Sequence, residues 1–420
     1  MKKKTVALLF ILSLSLTVTG LSTSVKGQNT TSMSGFSQTP LWKKEALLIN
    51  ASEYVGFNDT ERLQAALDDV PPEGATVLIS GLWTASGLIA KSNTTILGVN
   101  GTIQRPHNTT EPFIAFSNAS NFAVLNLTFD GREINDGCGV KIVDSRSFVS
   151  QGNTFQNIKR NTIQVGISLD GISENFTIAE NAFLNCDHAP ILIFGSPTKR
   201  AIRNFAILNN TMMNGLDNGK IAIAFSSNGL VANNTVANCQ YGIATRCVSN
   251  LIIRGNIIKN TVDYGLYLGT QIGDNGTDNV VLDQNRIIEG CIGIARYYGS
   301  YSISNVIVKD NQFINNSLYD ILADFPATYI NNTVTSSDKL VIQDVSAVFI
   351  ETRDIENNLI MPGDINSDLK IDIRDIAAVA RKYGCVEGSP GWDPKFDIIR
   401  NGAVDIKDVA YVSVNFGSSA

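Results

Sequence analysis

The hexapeptide FVSQGN at residues 148–153 is followed at residues 176–181 by FTIAEN, which keeps the same alternation of apolar and polar residues and the same final asparagine. This asparagine recurs along the chain at a mean interval of about 26 residues, an interval typical of solenoid repeats. The column consists of Asn153, Asn181, Asn210, Asn234, Asn256, Asn285, Asn311 and Asn332, and Leu127 fills the position one period earlier. The sequence therefore predicts a stack of similar coils.

Each period contains two short β-type segments and shows no helical periodicity. Residues 251–253 (LII) precede a column asparagine, whereas residues 242–245 (GIAT) and 265–268 (GLYL) follow one. Segments this short cannot bury an apolar face alone, so successive periods must stack. Stacking places equivalent positions about 4.8 Å apart. Each asparagine amide can then donate to the carbonyl oxygen of the next, and we interpret the column as scaffold.

A second asparagine follows the first by four residues in most periods. Its members are Asn157, Asn185, Asn214, Asn238, Asn260 and Asn315, and Glu289 interrupts the series.

The start of the repeat has its own signature. Residues 58–67 (NDTERLQAAL) have the pattern of a capped amphipathic helix, with Leu63, Ala66, Leu67 and Val70 on one face, and residues 74–81 form a turn and a strand. With the repeat, this opening resembles the pectate-lyase-like superfamily. The resemblance implies an all-β right-handed parallel β-helix (solenoid) with an N-terminal capping helix, which we assign to residues 51–338, followed by a last coil and linker at 339–360.

Two acidic loops near the C-terminus, 364–375 and 397–408, each lead into an apolar-faced segment. Their oxygen-bearing side chains have the spacing that surrounds a calcium ion. The pair resembles a type I dockerin at residues 361–417, which implies a small α-helical calcium-loop domain of paired EF-hand type and a cohesin-type partner. The candidate calcium ligands are Asp364, Asn366, Asp368, Lys370, Asp372 and Asp375 in the first loop, and Asp397, Asn401, Asp405 and Asp408 in the second.

The two loops depart from the calcium pattern in different ways. Loop one has Leu369 where the sharp turn favours glycine, whereas loop two has Gly402 there but Ile399 at position 3, which offers no side-chain oxygen. We therefore expect Ca²⁺ in loop one and a weak or vacant site in loop two.

Chemistry-bearing residues recur seven positions after the column asparagines. Stacking would align them on successive coils about 5 Å apart, where a base could take the C5 proton of a uronic acid while a cation neutralises its carboxylate. The predicted catalytic residues are Arg160, His188, Asp217, Tyr241 and Asp263. The predicted substrate-binding residues are Lys220, Arg246, Tyr267, Arg296 and Tyr297.

The activity class stays open at this level. The Gly-His-Gly motif of polygalacturonase-type hydrolases and the Asp-Pro-His motif of mannuronan epimerases are both absent from the chain. The resemblance implies a polysaccharide lyase or glycoside hydrolase, and the alternative is a non-catalytic surface, adhesion or carbohydrate-binding rod. The polar file has a simpler explanation too, since turn residues of a solvated coil are commonly polar.

Composition sets the outer bounds. The 420 residues carry a net charge of −6, which excludes a nucleic-acid binder that works through net positive charge. Three lysines followed by an apolar run at 6–18 predict a signal peptide within 1–27, an extension at 28–50, and a secreted or cell-surface protein with no membrane span after signal removal. Fourteen glycosylation sequons fit that location.

We read Cys186, Cys239 and Cys291 as small apolar fillers rather than disulfide partners.

Overall fold

The computed structural model describes residues 47–419, apart from residues 108, 134–136, 161–162, 166–171, 197–200, 216–218, 271–275 and 298–301. The predicted signal peptide and most of the predicted extension lie outside these residues. The described chain forms one parallel sheet of 29 strands, three α-helices, and short 3-10 helices at Ala51–Glu53 and Ser337–Lys339. None of its helices is long and apolar enough to cross a membrane.

The strands are short, and three longer ones, β16 to β18, bend around corners of the coil. In chain order they are β1 (Leu47–Asn50), β2 (Ala75–Thr84), β3 (Leu88–Ala90), β4 (Thr94–Gln104), β5 (Ile114–Ser117), β6 (Ser120–Asp130), β7 (Val140–Val143), β8 (Arg146–Gln151), β9 (Thr154–Gln156), β10 (Ile163–Val165), β11 (Ser173–Ala179), β12 (Ala182–Leu184), β13 (Ile191–Phe194), β14 (Ile202–Leu208), β15 (Thr211–Met213), β16 (Gly219–Ala232), β17 (Thr235–Arg254), β18 (Ile257–Gly269), β19 (Thr277–Asp283), β20 (Arg286–Ile288), β21 (Ile292–Tyr297), β22 (Ile303–Lys309), β23 (Gln312–Ile314), β24 (Tyr319–Ala323), β25 (Thr328–Ile330), β26 (Thr333–Val334), β27 (Leu340–Ile342), β28 (Val348–Ile350) and β29 (Arg353–Asp354).

Parallel pairing between coils divides these strands into three faces. Face A contains β3, β5, β7, β10, β13, the start of β16, the middle of β17, the end of β18, β21, β24 and β27. Face B passes through β8, β11, β14, β19, β22, β25 and β28, and face C through β9, β12, β15, β20, β23, β26 and β29. Each coil runs from face B to face C and then to face A, so the predicted stack of coils is confirmed.

The predicted asparagine column forms a continuous ladder at the corner between faces B and C. Each side-chain amide from Asn153 to Asn311 donates to the carbonyl oxygen of the next asparagine at 2.9–3.0 Å, and the same oxygen accepts from the backbone N–H of the donor residue. The eight side chains are at most 1% exposed. Leu127 ends the ladder, where its N–H donates to Asn153.

The second column forms an outer ladder at the corner between faces C and A. Each amide from Asn185 to Asn260 donates backwards to the previous asparagine at 2.9–3.3 Å. Its residues have left-handed backbone angles, with φ of 55° at Asn157 and 61° at Asn214. Asparagine tolerates this region better than other residues with a Cβ atom, which explains its choice at these turns.

Stacked aromatic rings fill the interior. Phe122, Phe148, Phe176 and Phe205 lie on successive coils with ring centroids 4.6–5.6 Å apart and nearly parallel planes. Cys186 and Cys239 are fully buried in this core, and none of the six cysteines forms a disulfide, so the filler interpretation of these two is confirmed. Cys291 is partly exposed.

The N-terminal end of the solenoid is covered as predicted. Helix α1 (Asp59–Asp68) begins after Asn58, whose side chain accepts from the Glu61 N–H at 2.9 Å. Leu63, Ala66, Leu67 and Val70 are all buried against the first coils.

Strand stacking continues past residue 338, where β27, β28 and β29 add a further coil. Beyond it, helices α2 (Ile373–Ala380) and α3 (Ile406–Val414) follow the two acidic loops and pack together. Each helix begins with a capping box, Asp372 with Asp375 and Asp405 with Asp408. The two loop-and-helix units therefore share one local structure, and we call them the first and second units of the C-terminal module.

Candidate functional site

The predicted catalytic file lies in the turns that lead from face C to face A, and it is only partly aligned. Face A pairs Ile163 with Ile191 and Ile243 with Leu266. Three residues before these pairs, Arg160 is level with His188, and Gln240 is level with Asp263. The second alignment is secured by a hydrogen bond from Gln240 Nε2 to Asp263 Oδ2 at 2.9 Å.

Tyr241 does not belong to this file, because it pairs with Tyr264 across a register irregularity that follows Cys239. The cause is a variable turn length. Ile191 and Ile243 are equivalent residues of face A, but the column asparagine precedes them by ten positions at Asn181 and by nine at Asn234. A count of seven from the asparagine therefore selects non-equivalent positions. Asp217 lies outside the described residues.

Arg160 and His188 are exposed on adjacent coils. The Asp187 N–H donates to the Ile158 carbonyl at 2.9 Å, and Lys159 forms an ion pair with Asp187 at 3.3 Å, so the two turns are in contact just before these residues. His188 has a left-handed φ of 59°. The pair is accessible to a ligand, but Asp263 lies further along the stack.

Lys220 does not fit the substrate-binding role expected of it. Its side chain is fully buried, and its ammonium donates to the carbonyl oxygens of Cys186 and Asn214 at 2.9 and 3.1 Å. Backbone carbonyls satisfy the charge inside the turn, so Lys220 holds adjacent coils together and does not reach the surface.

Three tyrosines form a cluster on the outer side of face A. The rings of Tyr241 and Tyr264 stack with centroids 5.9 Å apart, and Tyr267 meets both edge-on, at 5.2 and 6.1 Å. Tyr267 is only 6% exposed, so it supports the other two rings rather than offering its own face. We call Tyr241, Tyr264 and Tyr267 the tyrosine cluster. Its half-exposed rings provide the flat apolar surface on which a sugar ring can stack.

Two arginines lie toward the opposite edge of the same face. Arg246 follows buried Thr245, pairs with Gly269, and is about 16 Å along the strand from Tyr241 at 3.3 Å per residue. Gly269 pairs in turn with Tyr297, which places Arg246 and Tyr297 at equivalent positions, whereas Arg296 pairs with the buried Leu268 and is half-buried at the edge of the face. The face thus carries aromatic rings at one edge and cations at the other.

Asp324 adds an acid to the arginine edge. Ala323 and Phe325 on either side are buried in the core, so strand alternation turns the Asp324 side chain outward. Its Oδ1 accepts from the Arg296 N–H at 2.7 Å. Burial raises the pKa of Asp324 to about 6, and nearby Asp344 adds to the rise while Arg296 opposes it. A carboxyl group that titrates near pH 6 can both donate and accept a proton under mild conditions.

Sequence reasoning missed Tyr264 and Asp324. A signal for Tyr264 is present, since the Tyr-Gly pair at 241–242 recurs at 264–265. Nothing in the sequence marks Asp324, because its pKa depends on burial in the folded coil.

The two acidic loops share one hydrogen-bond frame. In loop one the Asp364 carboxylate accepts from the N–H groups of Asp368 and Leu369, and in loop two Asp397 accepts from Asn401 and Gly402 in the same way. Leu369 and Gly402 both have left-handed φ values, 64° and 85°. This position therefore requires the left-handed backbone conformation that glycine adopts freely, and Leu369 adopts it with strain.

The donors of loop one suit a hard cation in kind, since Asp364, Asn366, Asp368 and Asp375 all offer oxygen atoms. The carboxylates of loop one interact with other protein groups. Asp375 accepts from three backbone N–H groups, and Arg374 forms ion pairs with Asp368 and Asp372 at 2.6 Å. No group of three or more histidine, cysteine or acidic side chains is gathered for a metal within the described ranges. Arg374 is 61% exposed, so its ion pairs can be exchanged for a cation at small cost.

The family comparison agrees with this geometry. The family model described as "Right handed beta helix region" matches residues 113–271 and 165–334, which together span more than half of the chain. The chain belongs to the right-handed β-helix family. The handedness expected from the sequence is thereby confirmed, as is the predicted parallel β-helix.

Solved structures with the same fold include a mannuronan epimerase and a phage protein in complex with a pentasaccharide. The A-module of a mannuronan C-5 epimerase from Azotobacter vinelandii is 14% identical, with a TM-score of 0.52 over 73% of this β-helix protein and 93% of that chain. The tailspike protein of E. coli bacteriophage HK620, solved with a pentasaccharide, is 15% identical, with a TM-score of 0.54 over 71% and 62% of the two chains. At these identities the likeness establishes the fold alone.

A short segment is similar to curated proteins of another kind. Over 58 residues the chain is 36% identical to cellulosomal-scaffolding proteins B and A of Acetivibrio thermocellus. The match covers 14% of this chain but only 8% and 3% of those proteins.

Proposed function

We propose that this β-helix protein is a secreted carbohydrate-active enzyme that binds a polysaccharide along face A. The carrying observation is that the tyrosine cluster, Arg246 and Asp324 belong to one outer face, with the half-buried Arg296 next to Asp324 at its edge. The separation between the rings and the cations suits an extended chain rather than a single sugar. The saccharide-binding and saccharide-modifying proteins that share the fold support this substrate class.

In this proposal each group has a distinct task. Tyr241 and Tyr264 stack on sugar rings, and Arg246 and Arg296 neutralise the carboxylates of an acidic chain. Asp324 transfers the proton, because its pKa of about 6 matches mildly acidic or neutral conditions. Arg160 and His188 lie at the entry to face A and are proposed to contact the flanking sugars, with Asp263 further along the same turn.

The activity test uses a panel of uronans and neutral glycans, followed through unsaturated ends by absorbance and through new reducing ends. We expect Asp324→Asn to lower turnover on the active substrate by about 100-fold or more while leaving its binding constant unchanged. If Asp324 acts as a base, wild-type turnover rises as pH passes upward through about 6, since the carboxylate is the working form. Retained activity in Asp324→Asn would remove Asp324 from the mechanism without removing the substrate class.

The alternative function is a non-catalytic carbohydrate-binding rod, which the break in the catalytic file favours. Affinity electrophoresis separates the two. We expect Tyr264→Ala to weaken binding by about tenfold, because one stacking ring is lost, whereas exposed Tyr383→Ala in the C-terminal module serves as the matched control. Binding without product formation across the whole panel would favour the rod.

We also propose that the C-terminal module binds Ca²⁺ through loop one and engages a cohesin-type protein. The oxygen donors of loop one and the similarity to scaffolding proteins support this proposal. Calorimetry on chelator-stripped protein should detect one strong site, which Asp364→Ala abolishes. Two equal sites, or none, would contradict the assignment. Native electrophoresis with a purified cohesin, in calcium and in chelator, tests the partner.

A further inference from the structure

The C-terminal end of the solenoid presents an open edge. Strands β27, β28 and β29 each pair with the preceding coil, and no further coil follows them among the described residues. Unpaired strand edges and an open apolar core are a liability that repeat proteins cover with a capping element. Ala347 on this last coil is nonetheless fully buried, and Phe349, which stacks on Tyr329 of the coil before it at 4.5 Å, is itself only partly exposed. Something must cover them.

Two side chains of the second unit provide that cover. Ile399 and Tyr411 are 2% and 1% exposed, and both belong to the apolar cluster that runs through the β-helix. The core of the module itself is a different cluster, built from Ile365, Ile371, Val379, Val404 and Val412. Tyr411 is also close enough to Tyr329 to contribute, after burial and nearby aspartates, to the raised pKa of its hydroxyl.

The first unit lacks both anchors. The two loops start 33 residues apart, so Asn366 is the counterpart of Ile399 and Ala378 is the counterpart of Tyr411. Asn366 is exposed, and Ala378 is half-buried. The two units share their loop frame and their capping boxes, so the apolar substitutions are confined to the unit that contacts the solenoid. Ile399 thus stands where an oxygen ligand would serve calcium.

Hydrogen bonds also fix the connection between the last coil and the module. The Ile360 N–H donates to the Thr352 carbonyl at 2.8 Å, and Arg353 pairs with Leu359 across a turn. The Asp354 carboxylate accepts from the N–H groups of Glu356 and Asn358 inside that turn. The module therefore follows the solenoid without a free linker.

We infer that the second unit is the C-terminal cap of the β-helix, anchored by Ile399 and Tyr411. In this role Ile399 takes the position in loop two that a calcium ligand would otherwise occupy. The capping part stands independently of the proposed function, and the statement about the ligand rests on the calcium proposal. The first unit, with its exposed Ile373 and Tyr383, remains available to a partner.

The test replaces each anchor with the residue that the first unit carries at the same position, Ile399→Asn and Tyr411→Ala, because the module demonstrably accommodates those residues. Hydrogen exchange is followed by mass spectrometry in full-length protein. We expect roughly tenfold faster exchange in residues 340–354 of both variants, while the amides of α2 keep their protection. Exposed Tyr383→Ala is the control and should leave both regions unchanged.

Two results would overturn the inference. Unchanged exchange at 340–354 would mean that the anchors do not cover the solenoid. Loss of protection in α2 as well would mean that they hold the module together rather than joining it to the β-helix. Calorimetry of Ile399→Asn tests the statement about the calcium ligand separately from the capping role. A second calcium site should appear in this variant. Its absence would contradict the idea that Ile399 replaces a ligand, but the hydrogen-exchange evidence for the cap would still hold.

Discussion

The inner and outer asparagine ladders are built from the same residue on the same coils, yet they differ in function and in regularity. The inner ladder is buried, unbroken from Asn153 to Asn332, and uses both the amide and the backbone N–H of each member. The outer ladder is exposed, uses side-chain bonds alone, and is interrupted at Glu289. Directly after the outer ladder, the turns change length and the candidate site residues lose their common register.

The difference shows which positions of a solenoid are constrained. An inner asparagine that shifted by one residue would leave several buried polar groups without partners, so the ladder imposes one register on every coil. An outer turn faces water, which can replace any lost partner. The variable turns therefore carry the chemistry, and they are also where a count along the chain fails.

The largest expected effect is at the inner ladder. Asn234→Ala removes the acceptor of the Asn210 amide and backbone N–H, both at 2.9 Å, and the donor to the Ile207 carbonyl. We expect the free energy of unfolding to fall by about 3–5 kcal/mol, because these groups stay buried without partners. Denaturant titration followed by circular dichroism measures it.

Asn238 lies four residues later on the same coil and provides the matched outer variant. Asn238→Ala should cost about 1 kcal/mol, mostly for placing a Cβ-bearing residue at its φ of 56°. Asn238→Gly should cost less, since glycine adopts this conformation freely. Equal losses for Asn234→Ala and Asn238→Ala would break the distinction between the two ladders.

The smallest effect is a gain. Glu289 occupies the gap in the outer ladder with a φ of 57°, between Asn260 and Asn315. Glu289→Asn should raise stability by about 0.5 kcal/mol, because asparagine tolerates this backbone region and can bond to its neighbours. The melting temperature should rise slightly. Glu289→Gln is the control, and an equal rise for that variant would show that loss of charge, not ladder formation, is the cause.

The regular part of the fold was predictable from particular residues. The spacing of the column asparagines predicted the stack, and Leu63, Ala66, Leu67 and Val70 predicted the buried face of the cap. Both predictions succeeded because burial and hydrogen bonding recur at the same place in every coil. The candidate site was predictable only in part: Arg160 and His188 came together, Tyr241 fell one position out of line, and Lys220 turned inward.

The order of residues along the chain was enough to establish a parallel solenoid, its scaffold ladder and the paired acidic loops, since each depends on a local pattern that repeats. Only the folded molecule decided which side chains meet across coils, that Asp324 is buried enough to titrate near pH 6, and that Ile399 and Tyr411 cover the solenoid rather than the module. Those properties depend on turn length and on contacts between distant segments, and neither leaves a periodic trace in the sequence.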